Sequence, residues 1–410
     1  MNNEKMNRRI FRLPPCPAYD VEGMEKWLSD QAEKGLFLEK DGFFAGISIF
    51  KKGTPRHTKY RLEAAQKSTS MWAENGGEPD PEQVELGEKY AWEYVGKRGS
   101  FYIYRSFDPE AREMNTDPEV QALAINAVKK RQRGTTFCLL FWTVAYAFLL
   151  FRGGILLTAI HMKTWLFLLT AAFVLWMIAD EVAALVYLHR IQKKLREDGC
   201  LQTGKDWRKG AVLYHAKRTL KMILTISLMC FFLNDWSDSV LNLNRVQLDR
   251  YTGSLPFAAM RDFAGADITN YRLTMTGMSM GFNTVKEWSD YLAPVCISYN
   301  EHAEMTLSDG RILDGGYYVD YYETRSPAVA RLLASEIYGI DSREKNFELM
   351  EAPDIDAEYD VIYAYKGDLH FPTIVIQSGD KVIRSFFYQT PDGIVPFDVW
   401  ANIVANSLNK

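Results

Sequence analysis

Two stretches without a charged side chain constrain this chain more than anything else in it. Residues 135–151 (TTFCLLFWTVAYAFLLF) and 164–179 (TWLFLLTAAFVLWMIA) run for 17 and 16 residues. Crossing ~30 Å of hydrocarbon takes roughly 20 apolar residues at about 1.5 Å each. Both runs approach that length, and residues 182–188 prolong the second. A third run, 220–233, is shorter and carries Lys221 near its start. The pattern predicts three transmembrane helices over 135–235, with Trp142, Trp165 and Trp236 as interface anchors.

Charge gives the chain a direction. Residues 189–218 carry 9 Lys/Arg against 3 Asp/Glu, and Lys129-Lys130-Arg131-Gln132-Arg133 precedes the first run. Residues 152–163, between the first two runs, hold only Arg152 and Lys163. Basic ends stay in the cytoplasm, so a cell-membrane, multi-pass protein is expected, its N-terminus cytoplasmic and its C-terminus extracytoplasmic. The start lacks the apolar stretch of a signal peptide, in keeping with that orientation. Residues 1–134 carry 22 cations against 21 anions, while 236–410 carry 14 against 25 and form an acidic unit of net charge −11. No basic domain surrounds the KKRQR cluster, so it reads as a membrane flank and no nucleic-acid partner is expected; membrane lipids are.

Asp180 and Glu181 interrupt the second run. Counted from Thr164 they lie 16 and 17 residues along, about 24–26 Å at the helical rise. That is the cytoplasmic edge of the span and not its centre. The third run enters from the same side and brings Arg218 and Lys221 to a similar depth. A pairing between one of the acids and one of these cations, tying the second helix to the third, is the expectation; simple interfacial solvation and a proton relay are the alternatives.

Residues 1–115 read as a cytoplasmic α+β sandwich: a helix over 21–34, strands near 35–40, 43–51 and 57–64, a helix over 80–90, and strands near 92–96 and 100–105. Segments 32–50 and 87–105 share a helix-end, strand, turn, strand pattern, which suggests a duplicated helix–hairpin unit. Residues 116–134 form a helical linker into the first span. Within this unit Phe11, Trp27-Leu28, Ala32, Lys34-Gly35, Leu38, Phe50-Lys51-Lys52-Gly53, Pro55, Tyr60-Arg61-Leu62 and Ala91-Trp92-Glu93-Tyr94-Val95-Gly96 resemble the domain of unknown function 2812 family, over about a quarter of the chain. Where that family has Gly-Trp pairs, this chain has Gly35-Leu36 and Ala91-Trp92. The resemblance implies a membrane-anchored bacterial protein, a functional link to a PadR-like repressor, and no catalytic residues.

Residues 236–410 read as an extracytoplasmic α+β domain. Hairpin turns are expected at Ser308-Asp309-Gly310 and Ser378-Gly379-Asp380. Residues 327–338 form a helix capped by Ser326, and 395–408 an amphipathic helix with Val399, Trp400, Ile403 and Val404 on one face. Gly277-Met278-Ser279-Met280-Gly281 is a GxSxG string. In a nucleophile elbow a strand at 270–275 and a helix at 284–291 would flank Ser279, with His370 as the late histidine. Hairpins dominate here, so Ser279 and His370 are weak candidates. Asp354, Asp356, Glu358 and Asp360 lack the glycine and terminal glutamate of a calcium loop. Five scattered cysteines suggest neither a disulfide framework nor a zinc site. No metal and no cofactor is expected.

The expected function is a non-enzymatic sensor, regulator or signalling adaptor that links an outer domain to a cytoplasmic one through an unidentified protein partner. The alternatives are an accessory subunit of a membrane transport complex and an envelope serine hydrolase using Ser279.

Overall fold

The computed structural model describes residues 9–43, 46–65, 78–112, 118–198, 206–241, 244–263, 268–274, 283–367, 370–389 and 395–409. The chain is mixed α and β and divides into two compact units, Met1–Thr143 with Phe173–Ile226, and Val144–Ala172 with Ser227–Lys410.

The first unit contains one motif twice. Strand β1 (Arg9–Arg12), helix α1 (Val21–Ala32) and hairpin β2 (Leu36–Phe43)/β3 (Ile47–Lys52) are followed by β4 (Lys59–Ala64), α2 (Pro81–Lys89) and hairpin β5 (Glu93–Arg98)/β6 (Phe101–Ser106). Each copy makes a three-stranded antiparallel sheet with its last strand in the middle, β1-β3-β2 and β4-β6-β5. The duplicated helix–hairpin is therefore present, each copy enlarged by a leading strand. Strand β1 escaped the sequence reading, because Arg9 and Arg12 give it no apolar alternation.

Helix α1 starts at Asp20, whose carboxylate accepts from the Gly23 N–H at 3.2 Å. Val21, Met24, Trp27 and Leu28 share its buried stripe, and the Trp27 ring meets Phe50 edge-on at 5.4 Å. Backbone conformation explains the glycine signal. Gly35, at φ +76°, would place a Cβ 2.5 Å from the Gly53 carbonyl oxygen, and the Gly53 N–H donates to the Gly35 carbonyl at 2.8 Å. At the matching place before β5, Ala91 takes φ +65°.

Four helices follow: α3 (Pro118–Gly153), α4 (Ile155–Met162), α5 (Thr164–Asp198) and α6 (Arg208–Leu241). Two of them, over Gln121–Gly153 and Thr164–Glu197, are long and apolar enough to cross a membrane among the described residues. The expectation was three. Helix α6 runs for 34 residues, but its first third is basic, and Lys221 before and Asn234-Asp235 after confine its continuous apolar length to 222–233.

The second unit holds a nine-stranded sheet among the described residues, in the order β12-β13-β14-β15-β11-β10-β9-β7, with β8 also paired to β10. Its strands are β7 (Val246–Gln247), β8 (Ile268–Leu273), β9 (Thr284–Trp288), β10 (Val295–Leu307), β11 (Ile312–Glu323), β12 (Glu348–Leu349), β13 (Val361–Lys366), β14 (Pro372–Ser378) and β15 (Lys381–Gln389). The long hairpins β10/β11 and β14/β15 turn where the Ser-Asp-Gly and Ser-Gly-Asp triplets stand. Alternation along the strands builds two cores. On one face Tyr317, Val319, Tyr321 and Phe387 pack with Trp400 and Val404 of α8 (Phe397–Leu408). On the other, Tyr322, Val375 and Val382 pack with Leu333 and Ile337 of α7 (Pro327–Asp341) and Ile160 of α4. Ser326 caps α7, its hydroxyl accepting from the Val329 N–H at 3.4 Å. Val399, expected on the buried stripe of the last helix, is 45% exposed.

Candidate functional site

The polar residues of helix α5 are positioned by helical geometry. Consecutive residues stand about 100° apart around the axis, so Asp180 and Glu181 face different neighbours. The Lys221 ammonium of α6 forms an ion pair with Asp180 and lies 5.6 Å from the Trp176 ring centroid. Glu181 turns to α3, accepting from Gln132 Nε2 and, at 3.4 Å, from the Thr136 hydroxyl. Arg218, one turn before Lys221, instead reaches Gly46, its Nη2 lying 3.6 Å from where a Cβ would stand there. Of the four candidates in this region, Asp180 and Lys221 are brought together, while Glu181 turns to α3. Each acid has a donor, and no group of three or more metal-ligating side chains occurs among the described residues.

Further along α5, helix α1 is held at both ends. The Tyr187 hydroxyl donates to Asp20 at 2.7 Å, so the residue that caps α1 also binds α5. At the other end Asp30 accepts from Trp207 Nε1 at 3.0 Å and Arg208 Nη2 at 3.4 Å, just where α6 begins, and from Lys26 at 3.0 Å. Burial alone would raise the Asp30 pKa, but the hydrogen bonds from Trp207 and Lys26 and the charges of Lys26 and Arg208 hold it below the usual carboxylate value. Between these ends, Leu188, Ile191 and Leu195 of α5 and Ala122, Ile125 and Val128 of α3 share one core with Met24, Trp27 and Leu28. Lys129 of α3 adds polar contacts to His189 at 3.0 Å and Gln192 at 3.3 Å.

Toward β4, in the sheet of the second copy, α1 presents Glu25. It accepts from Arg61 Nη1 at 2.8 Å and from the Leu62 N–H at 2.9 Å. Burial dominates nonetheless and pushes its pKa up to about 7.

In the second unit, carboxylates bind the starts of two helices. Glu336 of α7 accepts from the Leu156 and Leu157 N–H groups, at 3.1 and 2.7 Å, at the start of α4. Asp290 accepts from the Thr164 N–H at 2.7 Å and the Thr164 hydroxyl at 2.6 Å, at the start of α5. Anions at helix N-termini satisfy otherwise unpaired N–H groups and complement the dipole. Burial would raise the Asp290 pKa; the bonds from Thr164, Leu292 and Tyr291 outweigh it and hold the acid low.

Of the two catalytic candidates, only His370 lies among the described residues. Ser279 and the GxSxG string lie outside the described residues. The segment expected to be the elbow helix is strand β9, because Thr284–Trp288 pairs with Cys296–Asn300 of β10. His370 is exposed at a turn with φ +60°, its N–H donating to the Gly367 carbonyl at 2.8 Å. Of the alternating acids, Asp360 is engaged by Gln377 Nε2 at 2.9 Å and the Gly379 N–H at 2.8 Å. In the second unit His302 sits in a polar cluster on the sheet. Its Nε2 meets the Tyr318 hydroxyl, and its Nδ1 the Tyr388 hydroxyl at 2.8 Å. Burial lowers its pKa. Strand pairing alone brings these three residues together, and no sequence spacing signals it.

No curated protein and no solved structure matches the chain. Residues 20–139 match the family model described as protein of unknown function (DUF2812). That span begins at the cap of α1, includes the second β-α-β-β copy, and runs into α3, so the likeness to DUF2812 covers the N-terminal part of this chain.

Proposed function

We infer that this is a multi-pass membrane protein that passes a conformational signal between an acidic extracytoplasmic domain and the cytoplasmic DUF2812 domain. In this reading α6 crosses the bilayer together with α3 and α5, so that the two termini lie on opposite sides. Support comes from the side chains around the helices. Phe141, Trp142 and Phe148 of α3, and Met222, Ile226 and Met229 of α6, are all exposed, which is costly in water and favourable in lipid. The charge distribution favours cytoplasmic placement of the basic ends. The outer domain, with its net charge of −11, suits a basic partner; inside, the family resemblance points to a PadR-like repressor.

The observation that carries the reading is the double hold on α1. With Asp20 fixed to α5 and Asp30 to the start of α6, a shift of α5 against α6 has to bend or release α1. Substitution at Asp290, which frees the N-terminus of α5, tests it. In full-length protein in lipid nanodiscs, Asp290→Ala is expected to raise amide exchange in residues 21–32 several-fold. Unchanged exchange there, with increased exchange around 155–166, contradicts signal transfer.

A further inference from the structure

A groove of 380 Å³ lies between the two small sheets of the DUF2812 domain, walled by β2 and β3 on one side and β5 with Arg105 and Phe107 on the other. Its charges are unevenly satisfied. Both acids are already neutralised: Glu93 is gripped by Arg105 through two bonds of 2.8 Å, and Glu39 by Arg9 at 3.0 and 2.8 Å. Arg105 is further committed to the Leu38 carbonyl at 3.1 Å. Lys51 and Lys52 of the lining, and Arg56 against its aromatic residues, are exposed, and no carboxylate lies within ion-pair distance of them among the described residues. The Arg56 guanidinium instead lies on an aromatic face, 3.1 Å from the Phe107 centroid and 5.7 Å from that of Phe37.

A guanidinium stacked on a ring keeps its N–H edge pointing outward, where it matches an oxyanion. An anion placed there meets these cations without displacing a protein carboxylate, and the Phe37 and Phe107 rings supply an apolar floor beside it. The volume is that of a small-molecule site. We propose that this groove binds a small organic oxyanion, a phosphate or carboxylate carried on a flat apolar body, with the anion at Lys52 and Arg56 and the body against Phe37 and Phe107. The proposal goes beyond the signalling reading and stands independently of it.

The test is calorimetric titration of 1-naphthyl phosphate into the full-length protein in phosphatidylcholine nanodiscs, with 1-naphthol and inorganic phosphate as the two part-ligands. Saturable binding at least ~10-fold tighter than either part-ligand is expected, weakening as salt rises. Arg56→Ala is expected to weaken it roughly 10-fold and Lys52→Ala several-fold, since each removes a charge-assisted contact to the anion. Thermal unfolding checks each variant, and Lys52→Ala stands alone if Arg56→Ala misfolds. The proposal is overturned by absent binding, by 1-naphthol binding as tightly as the phosphate, or by folded variants that bind like the parent protein.

Discussion

Asp180 and Glu181, adjacent on helix α5, bind two different helices: Asp180 pairs with Lys221 of α6, and Glu181 accepts from Gln132 and Thr136 of α3. Two acids in an apolar run thereby become a three-helix brace. A double-mutant cycle with Asp180→Asn and Lys221→Met is expected to show a coupling of about 1 kcal/mol, typical of polar pairs between membrane helices. The cycle is read from unfolding of the detergent-solubilised protein. Glu181→Gln, whose partners are neutral donors, is expected to cost less than Asp180→Asn.

The two β-α-β-β copies differ at one left-handed position, glycine in the first and Ala91 in the second. A residue with a Cβ in that conformation costs roughly 1–2 kcal/mol, partly offset by glycine's greater freedom when unfolded. Ala91→Gly is therefore expected to stabilise the N-terminal domain by about 0.5–1 kcal/mol in chemical denaturation, whereas Gly35→Ala destabilises it by more, because its Cβ also meets the Gly53 carbonyl.

Glu25 makes that domain sensitive to pH. Its folded pKa of about 7 lies above the ordinary 4.5, so between these values the folded state holds a proton that the unfolded state releases. Stability falls as pH rises through that window, by about 3 kcal/mol. Glu25→Gln is expected to remove this slope, observed as a melting temperature that no longer declines from pH 5 to pH 7.5.

The turn at Gly154 is fitted to Glu336. A Cβ at this glycine would stand 2.4 Å from Glu336 Oε1, and the backbone has φ +86°. Gly154→Ala is expected to cost about 2 kcal/mol or more, and Glu336→Ala about 1–2 kcal/mol for the lost helix-start bonds. Because removing the carboxylate relieves the clash, the double variant is expected to lose less than the sum in thermal melts.

Features with a local cause were legible in the sequence. Turn triplets fixed the hairpins β10/β11 and β14/β15, Ser326 marked the start of α7, and apolar length marked α3 and α5. The repeat of helix and hairpin was visible at Lys34-Gly35 and Ala91-Trp92 because the backbone there demands a rare conformation. What depended on tertiary pairing was hidden. Strand β9 looked like the helix of an elbow because its fate is set by β10, and α4 was passed over as a link because its ends are satisfied by Glu336 and by the sheet core it enters at Ile160. Asp20 and Asp30 carry no signal of their own in the sequence. Nothing near them in sequence announces Tyr187 or Trp207, more than a hundred residues away.

Whether α6 crosses the membrane decides the arrangement most directly, since two crossings leave both termini on one side and three separate them. The measurement is labelling of single cysteines with a membrane-impermeant maleimide in intact and permeabilised cells, after replacement of the native cysteines. Leu349→Cys, on an exposed edge strand of the second unit, is expected to react in intact cells, and Lys52→Cys only after permeabilisation. Equal reactivity of both sites in intact cells, or protection of both until permeabilisation, contradicts the account.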